Sequence, residues 1–567
     1  MATNPNQTVT PGKLAKSFAA ELTKAKKNRV ISKILTKDQS VFRKKDPAHI
    51  QVILNRLGWI DAIHEMPAQI ARIEQLVEDL RQDGVRHLFV LGMGGSSLCS
   101  EVFGQVFKPQ SWLESYTIVD TTAPSRIGEI LESTDLAKSF FIVSSKSGST
   151  IETSSQFQFF FDRVKEVNPQ NPGMSFAAIT DAGSDLEKIG KENKFRAIFI
   201  NRGDIGGRYS ALSFFGLVPC GFTRANLSRL MNGAEKFLDQ METGDDDNDA
   251  LGLGILIGCG AVGGFDKLHF MPSKKAAPLV PWIEQLIAES TGKQGKGVIP
   301  IEGAPEVDSR RIAKDTIYIS ISVKGEKLSA SVPVVEKHKS RCPLVKIVLP
   351  GSHALGAEML KWEMATAVAA TVMGVNPFDE PNVAESKKNT SQILQSDCSG
   401  VRLPPLAVFK GMSIQSITGL KKPLSSKSNP HMMLNAFFSG IGRKDYLAIL
   451  SFTDMSPAIE KLIMRLRAAI ETEYDVTTLR GYGPRYLHSI GQLYKGGCPK
   501  GHFLVLERDF AADFDIPGGN LSFGRLIKAQ AEGDIMALTG RKRPVVRIHL
   551  GSNPFIGLKK LLELVEK

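Results

Sequence analysis

Cysteine is scarce in this sequence and long hydrophobic runs are missing, and each shortage excludes a class of protein. The six cysteines are scattered over 567 residues without a CxxC pair, which argues against a zinc ribbon or a disulfide scaffold. The longest apolar stretches, such as LGLGILIGCGAVGGF from Leu251, are shorter than the roughly 18 residues that span a membrane. We therefore expect reduced thiols, no bound metal and no membrane partner.

Motifs for secretion and for nucleic-acid binding are also missing. The N-terminal residues MATNPNQTVTPGKLAKSF lack the continuous apolar core of a secretory signal. The net charge of +12 could by itself indicate nucleic-acid binding. The basic residues are not interleaved with aromatic ones, however, and no zinc-finger spacing occurs. We expect a cytoplasmic protein without a nucleic-acid partner, whose positive surface attracts anionic substrates.

The sequence does contain a repeated pattern, in which a short apolar run is followed by a Gly/Ser turn and then by a helical segment. This pattern is typical of parallel sheets covered on both faces, so the predicted fold class is α/β with doubly wound αβα sandwich domains. An acidic run before Ala250 indicates a domain boundary, and the polar stretch from Leu403 to Pro430 indicates a long loop or linker. The predicted divisions are a basic tail with a disordered start at 1–28, a first domain at 29–249, a second at 250–400, and a linker with a C-terminal α/β region at 401–567.

One segment of the C-terminal region parallels a segment of the second domain. CPLVKIVLPGSHALGAEMLKWEMA begins at Cys342, and RPVVRIHLGSNPFIGLKKLLELVE begins at Arg543. Each contains a proline, a short apolar strand, a turn with glycine and serine, and an amphipathic helix. We interpret the pair as a partial duplication, although two ordinary βα units would produce the same pattern.

Two loops of the first domain carry the features of an anion site. LGMGGSS, from Leu91, follows a predicted strand and precedes a helix, which lets backbone N–H groups approach an anion. SSKSGST, from Ser144, places several hydroxyl groups and one ammonium group before the next helix, and this combination suits a phosphate dianion. Neither loop completes a nucleotide motif, because the third glycine of GxGxxG and the pattern GxxxxGKS/T are missing. A flexible, well-capped turn is the alternative interpretation of the second loop.

These loops and three later segments resemble, in chain order, the signature segments of glucose-6-phosphate isomerases, which have the sugar isomerase (SIS) fold. The segments are LGMGGSSL, SSKSGSTIET, GGRYSALSFFGL, EQLIAESTGKQGKG and VNPFDEPNVAESKKN. The similarity runs from about Arg29 to the C-terminus and looks closest to the isomerase half of bifunctional transaldolase/glucose-6-phosphate isomerase proteins. It implies two SIS-type domains with a rearranged, partly duplicated C-terminal region. We expect no transaldolase barrel before Arg29.

The resemblance also implies which residues bind the substrate and that no cofactor takes part. The two loops would hold the phosphate, and a few further residues would lie beside the sugar. The implied phosphate-binding residues are Gly95, Ser96, Ser145, Lys146, Ser147 and Thr150, and those near the sugar are Glu152, Gly207 and Gln285.

The catalytic residues are implied by the same resemblance, and the reaction requires the same types of side chain. Glu289 would move the proton between C2 and C1, because aldose–ketose isomerisation without a cofactor needs a carboxylate base. Arg208 would stabilise the negative enediolate that forms. Ring opening would use His488 and Lys387, with Lys388 as an alternative register for the lysine. The histidine follows the lysine here, whereas in ordinary family members it precedes the lysine.

The predicted function is therefore glucose-6-phosphate isomerase activity, the reversible isomerisation of glucose 6-phosphate and fructose 6-phosphate through a cis-enediolate in glycolysis and gluconeogenesis. Two alternatives stay open: another phosphosugar isomerase, including one active on mannose 6-phosphate, and a non-catalytic phosphosugar-binding regulator. The resemblance also implies a homodimer whose sites share residues. Whether His488 acts in the same subunit as Glu289 is open.

Overall fold

The computed structural model describes residues 6–42, 47–243, 248–307, 312–395, 404–421 and 428–566. The chain folds into two compact units. The first contains the residues up to Asp120 together with Thr134–Glu302 and Glu306–Glu380, and the second contains Thr121–Ser133, Gly303–Pro305 and the residues from Pro381 onward. Strands and helices alternate through both units, and parallel strands form the centre of each large sheet, which confirms the predicted α/β fold class.

The regular elements are numbered here in chain order. The strands are β1 (Gln7–Thr10), β2 (His87–Leu91), β3 (Ser115–Val119), β4 (Ser139–Ser144), β5 (Phe176–Asp181), β6 (Ala197–Asn201), β7 (Lys267–Pro272), β8 (Ile299–Ile301), β9 (Thr316–Val323), β10 (Leu344–Leu349), β11 (Ala407–Phe409), β12 (Met412–Ile417), β13 (Tyr446–Phe452), β14 (Thr477–Tyr482), β15 (Gly501–Glu507), β16 (Asp515–Ile516), β17 (Leu521–Ser522) and β18 (Val545–His549). The α-helices are α1 (Ala15–Lys27), α2 (Val30–Leu35), α3 (Pro47–Leu54), α4 (Gly58–Glu65), α5 (Ile70–Gln82), α6 (Leu98–Phe107), α7 (Pro124–Ser133), α8 (Ile151–Val167), α9 (Asp185–Glu192), α10 (Phe214–Gly221), α11 (Leu227–Thr243), α12 (Asp249–Val262), α13 (Val280–Thr291), α14 (Ser331–Glu336), α15 (Leu355–Met373), α16 (Val383–Gln395), α17 (Pro430–Phe438), α18 (Pro457–Tyr474), α19 (Gly491–Gly496), α20 (Phe523–Gly540) and α21 (Pro554–Val565).

The first sheet of the first unit is fully parallel, in the order β3-β2-β4-β5-β6. Its central strands are apolar and buried along their whole length, as strands covered on both faces must be. The chain leaves β2 for β3 on one side and then returns to β4 on the other side. In such sheets, ligands bind at the carboxyl ends of the strands where the order reverses. The two loops predicted to bind an anion start at these ends of β2 and β4.

The second sheet of the first unit has the order β1-β10-β9-β7-β8, in which all pairs are parallel except β1 with β10. The apolar, glycine-rich run from Leu251 forms the buried helix α12. A Cβ atom at Gly254 would come within 2.4 Å of the Ala365 carbonyl oxygen, so the glycine lets α12 and α15 pack closely. In the described part of the chain, no helix is long and apolar enough to cross a lipid bilayer.

The large sheet of the second unit has the order β11-β12-β18-β15-β13-β14, and a separate hairpin joins β16 to β17. The strands β13, β14, β15 and β18 are parallel, while β11 and β12 are antiparallel additions at one edge. The two segments that suggested a duplication are β10 with α15 in the first unit and β18 with α21 in the second, and both are strand–turn–helix units.

Two segments differ from the expectation of disorder or loop. At the start of the chain, which was predicted to be disordered, Gln7–Thr10 form β1 and pair with β10, whereas residues 1–5 lie outside the described residues. Within the predicted linker, β11 and β12 form an antiparallel pair, and Met412 and Ile414, two residues apart on β12, are both buried, as expected for one face of a strand. Residues 401–403 and 422–427, and most of the acidic run before Ala250, lie outside the described residues. The division of the chain at 28, 249 and 400 stays a prediction.

Candidate active site

The loop after β4 gathers its hydroxyl groups around a tight turn. The Ser145 hydroxyl accepts a hydrogen bond from the Gly148 N–H at 3.1 Å and lies 3.3 Å from the Thr150 hydroxyl. Gly148 has a φ angle of +74°, and a Cβ atom there would come within 2.4 Å of the Leu186 backbone nitrogen. Only glycine fits this turn without strain. The loop therefore presents Ser145 and Thr150 together at the start of α8, with Ser147 exposed beside them.

The N-terminus of α8 adds a partial positive charge to this loop. Thr150 is the N-cap residue and has an extended backbone. Its side chain makes no capping hydrogen bond to the helix in the described part of the chain. The first N–H groups of a helix have no partner within the helix, and the helix dipole favours an anion at this end. Glu152 is buried in the first turn. The arrangement suits a phosphate group at the loop.

Lys146 forms an ion pair with Asp181, a residue that the sequence reasoning missed. Asp181 lies at the end of β5, and the Lys146 ammonium group also donates to the Gly203 carbonyl oxygen at 2.8 Å. Burial raises the pKa of Asp181, although the ion pair with Lys146 opposes this effect. Because Asp181 ends a parallel strand next to β4, its position could have been inferred from the strand order, but the sequence alone did not give that order.

The glycine loop after β2 touches the segment that contains Arg208. A Cβ atom at Gly95 would come within 2.2 Å of the Gly207 carbonyl oxygen and 2.9 Å of the Arg208 backbone nitrogen. The Ser210 hydroxyl also donates to the Gly95 carbonyl oxygen at 3.4 Å. The backbone contact brings Ser96, the residue after Gly95, close to Gly207 and Arg208.

Arg208 and Glu289 form a buried ion pair. The Arg208 side chain is 3% exposed and the Glu289 side chain 10%, and Nη1 of Arg208 lies 3.2 Å from Oε2 of Glu289. One turn earlier in α13, the Gln285 amide lies 3.5 Å from Oε1 of Glu289. The Ser290 hydroxyl accepts from Nε of Arg208 at 3.0 Å. A carboxylate and a guanidinium group are thus held together away from water, where charge interactions are strongest.

The segment after α15 surrounds the other side of the Arg208 guanidinium group, and the sequence reasoning assigned no role to its residues Pro377, Asp379 and Glu380. The carbonyl oxygens of Pro377 and Asp379 accept from Nη2 at 2.7 and 2.9 Å, and the half-exposed Glu380 carboxylate accepts from Nη1 at 2.9 Å. Burial by itself would lower the pKa of Arg208, but Glu380 and Glu289 raise it above its usual range. For Glu380, burial by itself would raise the pKa, but the nearby Arg208 holds the pKa below its usual value. Arg208 therefore keeps its charge.

Lys387 and His488 belong to the second unit. Lys387 and Lys388 are exposed on α16, and His488 is half-buried at the end of a short 3₁₀ helix, Arg485–His488. Their segments share a buried partner, Asp534 of α20, which accepts from the Ser386 hydroxyl at 3.0 Å and from the Tyr486 hydroxyl at 2.6 Å. All the other predicted site residues lie in the first unit.

Asp534 also forms a fully buried ion pair with Lys495, at 2.7 Å, with both side chains 1% exposed. Removing one partner of such a buried ion pair strongly destabilises the folded protein, because the other charge stays buried without a counter-charge. Sequence reasoning missed both residues, because an isolated aspartate and an isolated lysine more than 30 residues apart give no local pattern.

Parts of this chain are similar to proteins of a known family. Residues 58–298 match the model of the family described as phosphoglucose isomerase. This range contains every predicted site residue except Lys387 and His488. A glucose-6-phosphate isomerase of Campylobacter jejuni is 27% identical over 409 residues, covering 63% of this chain and 100% of the relative. One of Leptospira biflexa is 25% identical over 391 residues, covering 60% of this chain and 86% of the relative.

Solved structures share the fold at lower sequence identity. A glucose-6-phosphate isomerase from Chlamydia trachomatis has a TM-score of 0.53 and 17% identity, covering 68% of this chain and 87% of that one. A hypothetical protein from Thermus thermophilus has a TM-score of 0.57 and 21% identity, covering 69% of this chain and all of that one. These similarities confirm the fold class.

Proposed function

We propose that this relative of the phosphoglucose isomerases interconverts glucose 6-phosphate and fructose 6-phosphate. The observation that carries the proposal is the buried pair of Glu289 and Arg208, since a buried carboxylate beside a fixed cation is what proton transfer through an enediolate requires. The hydroxyl-rich loop at Ser145 to Thr150 supports a phosphate-bearing substrate.

Substrate binding would use both loops of the first unit. The hydroxyl groups of Ser145, Ser147 and Thr150 and the first N–H groups of α8 would bind the phosphate oxygens, with Gly95, Ser96 and Lys146 beside them. Glu152, Gly207 and Gln285 would contact the sugar. The Gly148 turn orders the loop before the substrate arrives, which reduces the entropy lost on binding.

Isomerisation would begin with ring opening, for which we assign His488 and Lys387 to the ring oxygen and the anomeric hydroxyl. Glu289 then takes the proton from C2 of the open-chain aldose, and the electron pair of the broken C–H bond forms the C1–C2 double bond of the cis-enediolate. Arg208 stabilises the negative charge that develops on oxygen. The same proton then returns from Glu289 to C1 as the C1–C2 double bond breaks, and the hydroxyl proton on O2 moves to O1, so that C2 becomes the carbonyl carbon of the ketose. The isomerisation involves no net change in atoms or electrons.

The decisive experiment is a coupled assay of fructose 6-phosphate conversion with Glu289→Gln. The amide cannot accept the proton, so we expect kcat to fall by about 10²- to 10⁴-fold with a much smaller change in KM. Glu358→Gln is the matched control, because Glu358 is also buried in the first unit but pairs with Lys361. The control should keep the wild-type kcat.

Other outcomes separate the alternatives. Wild-type levels of activity in Glu289→Gln would overturn the assignment of the base. An inactive wild-type protein that still binds fructose 6-phosphate would favour the phosphosugar-binding regulator. Equal rates on mannose 6-phosphate and glucose 6-phosphate would identify an isomerase with broader substrate use.

The cellular setting follows from the proposed reaction. An isomerase of glucose 6-phosphate serves glycolysis and gluconeogenesis, and we propose that it acts in the cytoplasm as a homodimer without nucleic-acid or membrane partners. Its net charge of +12 would attract the doubly charged sugar phosphate.

A further inference from the structure

Lys293 is buried beside the candidate site. It follows the end of α13 by two residues, and its side chain is fully buried. Its ammonium group lies 2.7 Å from Oδ1 of Asp379 and also donates to the Asp379 carbonyl oxygen. Burying an ammonium group is unfavourable unless it is paired and hydrogen-bonded, so this lysine and this aspartate depend on each other.

The contacts of Lys293 continue directly to Arg208. The Asp379 carbonyl oxygen that accepts from Lys293 also accepts from Nη2 of Arg208 at 2.9 Å. The Pro377 carbonyl oxygen accepts from the same nitrogen at 2.7 Å, and the Asn376 side chain fixes the turn by accepting from the Phe378 N–H at 2.9 Å. The position of the guanidinium group is therefore set by the segment from 376 to 380, and Lys293 anchors that segment to the end of α13.

We propose that Lys293 is a positioning residue, whose ion pair with Asp379 holds the carbonyl groups that aim Arg208 at Glu289 and at the developing enediolate. The inference rests on the proposed function and extends it to a residue that touches neither substrate nor reacting atoms. Loss of the ion pair would let the segment move, and a small misplacement of a stabilising cation reduces kcat more than it weakens substrate binding.

The charges around Lys293 predict that kcat depends on pH. Burial and the nearby Arg208 lower the pKa of Lys293 to about 8, while Asp379 and Glu380 oppose the shift. His49 lies on the other side of Asp379, at 3.8 Å from Oδ2. As the pH rises through about 8, the ammonium group loses its proton, the ion pair with Asp379 is lost and kcat falls.

The contribution of Lys293 to stability does not fall over the same interval. The pKa of Lys293 is lower in the folded protein than its ordinary value of 10.5, so between about 8 and 10.5 the unfolded chain binds more protons. The contribution of this group to the free energy of unfolding therefore rises with pH. Loss of activity without loss of stability above about pH 8 distinguishes the proposed effect from denaturation.

The test measures kcat, KM and thermal stability from pH 6 to 10 for the wild type, Lys293→Met and Asp379→Asn, with fructose 6-phosphate as substrate. We expect Lys293→Met to lower kcat at pH 7 by about 10- to 100-fold with little change in KM, and to remove the alkaline decline near pH 8. Asp379→Asn is nearly isosteric, and without the carboxylate the lysine loses its proton at lower pH. The alkaline decline of kcat should therefore move to lower pH in this variant.

Lys267→Met is the matched control, because Lys267 is also fully buried and pairs with Asp315 at 2.6 Å, but on β7. It should lower stability and leave the pH profile of kcat as in the wild type. An active wild type whose kcat and pH profile are unchanged in both site variants would overturn the inference alone. Equal effects of Lys267→Met and Lys293→Met on kcat would overturn it too. An inactive wild type would overturn the proposed function, and this inference with it.

Discussion

At the scale of single residues, Glu363 is a buried acid that the proposed mechanism does not use. It lies on α15 with 1% of its surface exposed, and in the described part of the chain its Oε1 atom has no hydrogen-bond partner. Burial raises the pKa of Glu363 well above its ordinary value of 4.5. Above pH 4.5, the folded protein therefore holds this proton more tightly than the unfolded chain does.

This acid predicts a pH dependence of stability. Between pH 4.5 and the raised pKa of Glu363, the folded state holds the extra proton, so the free energy of unfolding falls as the pH rises. Glu363→Gln cannot ionise, and its stability relative to the wild type should increase by up to about 1.4 kcal/mol per pH unit over this interval. Denaturant unfolding at several pH values from 4.5 to 7.5 would measure the difference.

The matched control for this comparison is Glu74→Gln, which lies on the exposed face of α5. It should follow the wild-type pH dependence. A constant difference between Glu363→Gln and the wild type over the whole range would show that Glu363 ionises as readily in the folded as in the unfolded state.

At the scale of elements, the contact between the glycine loop after β2 and the 3₁₀ helix Gly207–Tyr209 sets the geometry of the candidate site. Gly95→Ala would place a Cβ atom 2.2 Å from the Gly207 carbonyl oxygen, and neither backbone can yield as a flexible side chain would. The two segments must separate, which moves Ser96 away from Arg208. We expect kcat/KM for fructose 6-phosphate to fall by about 100-fold, because displacements near 1 Å have effects of this size.

A second glycine serves as control for the same substitution. Gly252 lies in α12, and among the described residues a Cβ atom there would have only the Val9 side chain within 4 Å, at 3.9 Å. Gly252→Ala should raise stability by about 0.5 to 1 kcal/mol and leave kcat/KM unchanged. Full activity in Gly95→Ala, measured in the same assay, would contradict the view that this contact orders the site.

At the scale of the whole molecule, the net charge of +12 predicts that substrate binding depends on salt. A doubly charged sugar phosphate is attracted by a positive protein, and added ions screen that attraction. Between about 20 and 300 mM potassium chloride, KM for fructose 6-phosphate should rise roughly threefold or more while kcat stays constant. Chloride is preferred to sulfate in this measurement, because sulfate would compete for the phosphate loop. A KM that does not change with salt would contradict the prediction.

The fold followed from the sequence where the signal was local. The apolar strands followed by glycine and serine turns predicted parallel sheets, and the structure has them. The N-terminal strand β1 and the edge strands β11 and β12 were missed. A short strand acquires its stability from the partner beside it, and the partners of β1 and β12 lie far away in sequence, at β10 and β18.

The sequence by itself determined the kinds of side chain in this protein: a hydroxyl-rich loop, an arginine after two glycines, and a glutamate near the end of an apolar helix. Those types, with the family resemblance, were enough to predict the reaction. Only the tertiary structure decided which groups meet, and it paired Arg208 with Glu289 and with the carbonyl oxygens of Pro377 and Asp379. It also placed Lys293 behind them. The physical reason is that these pairs join residues more than 80 positions apart in the sequence. Their separation in space depends on how the sheets and helices pack, and no local sequence pattern encodes that packing.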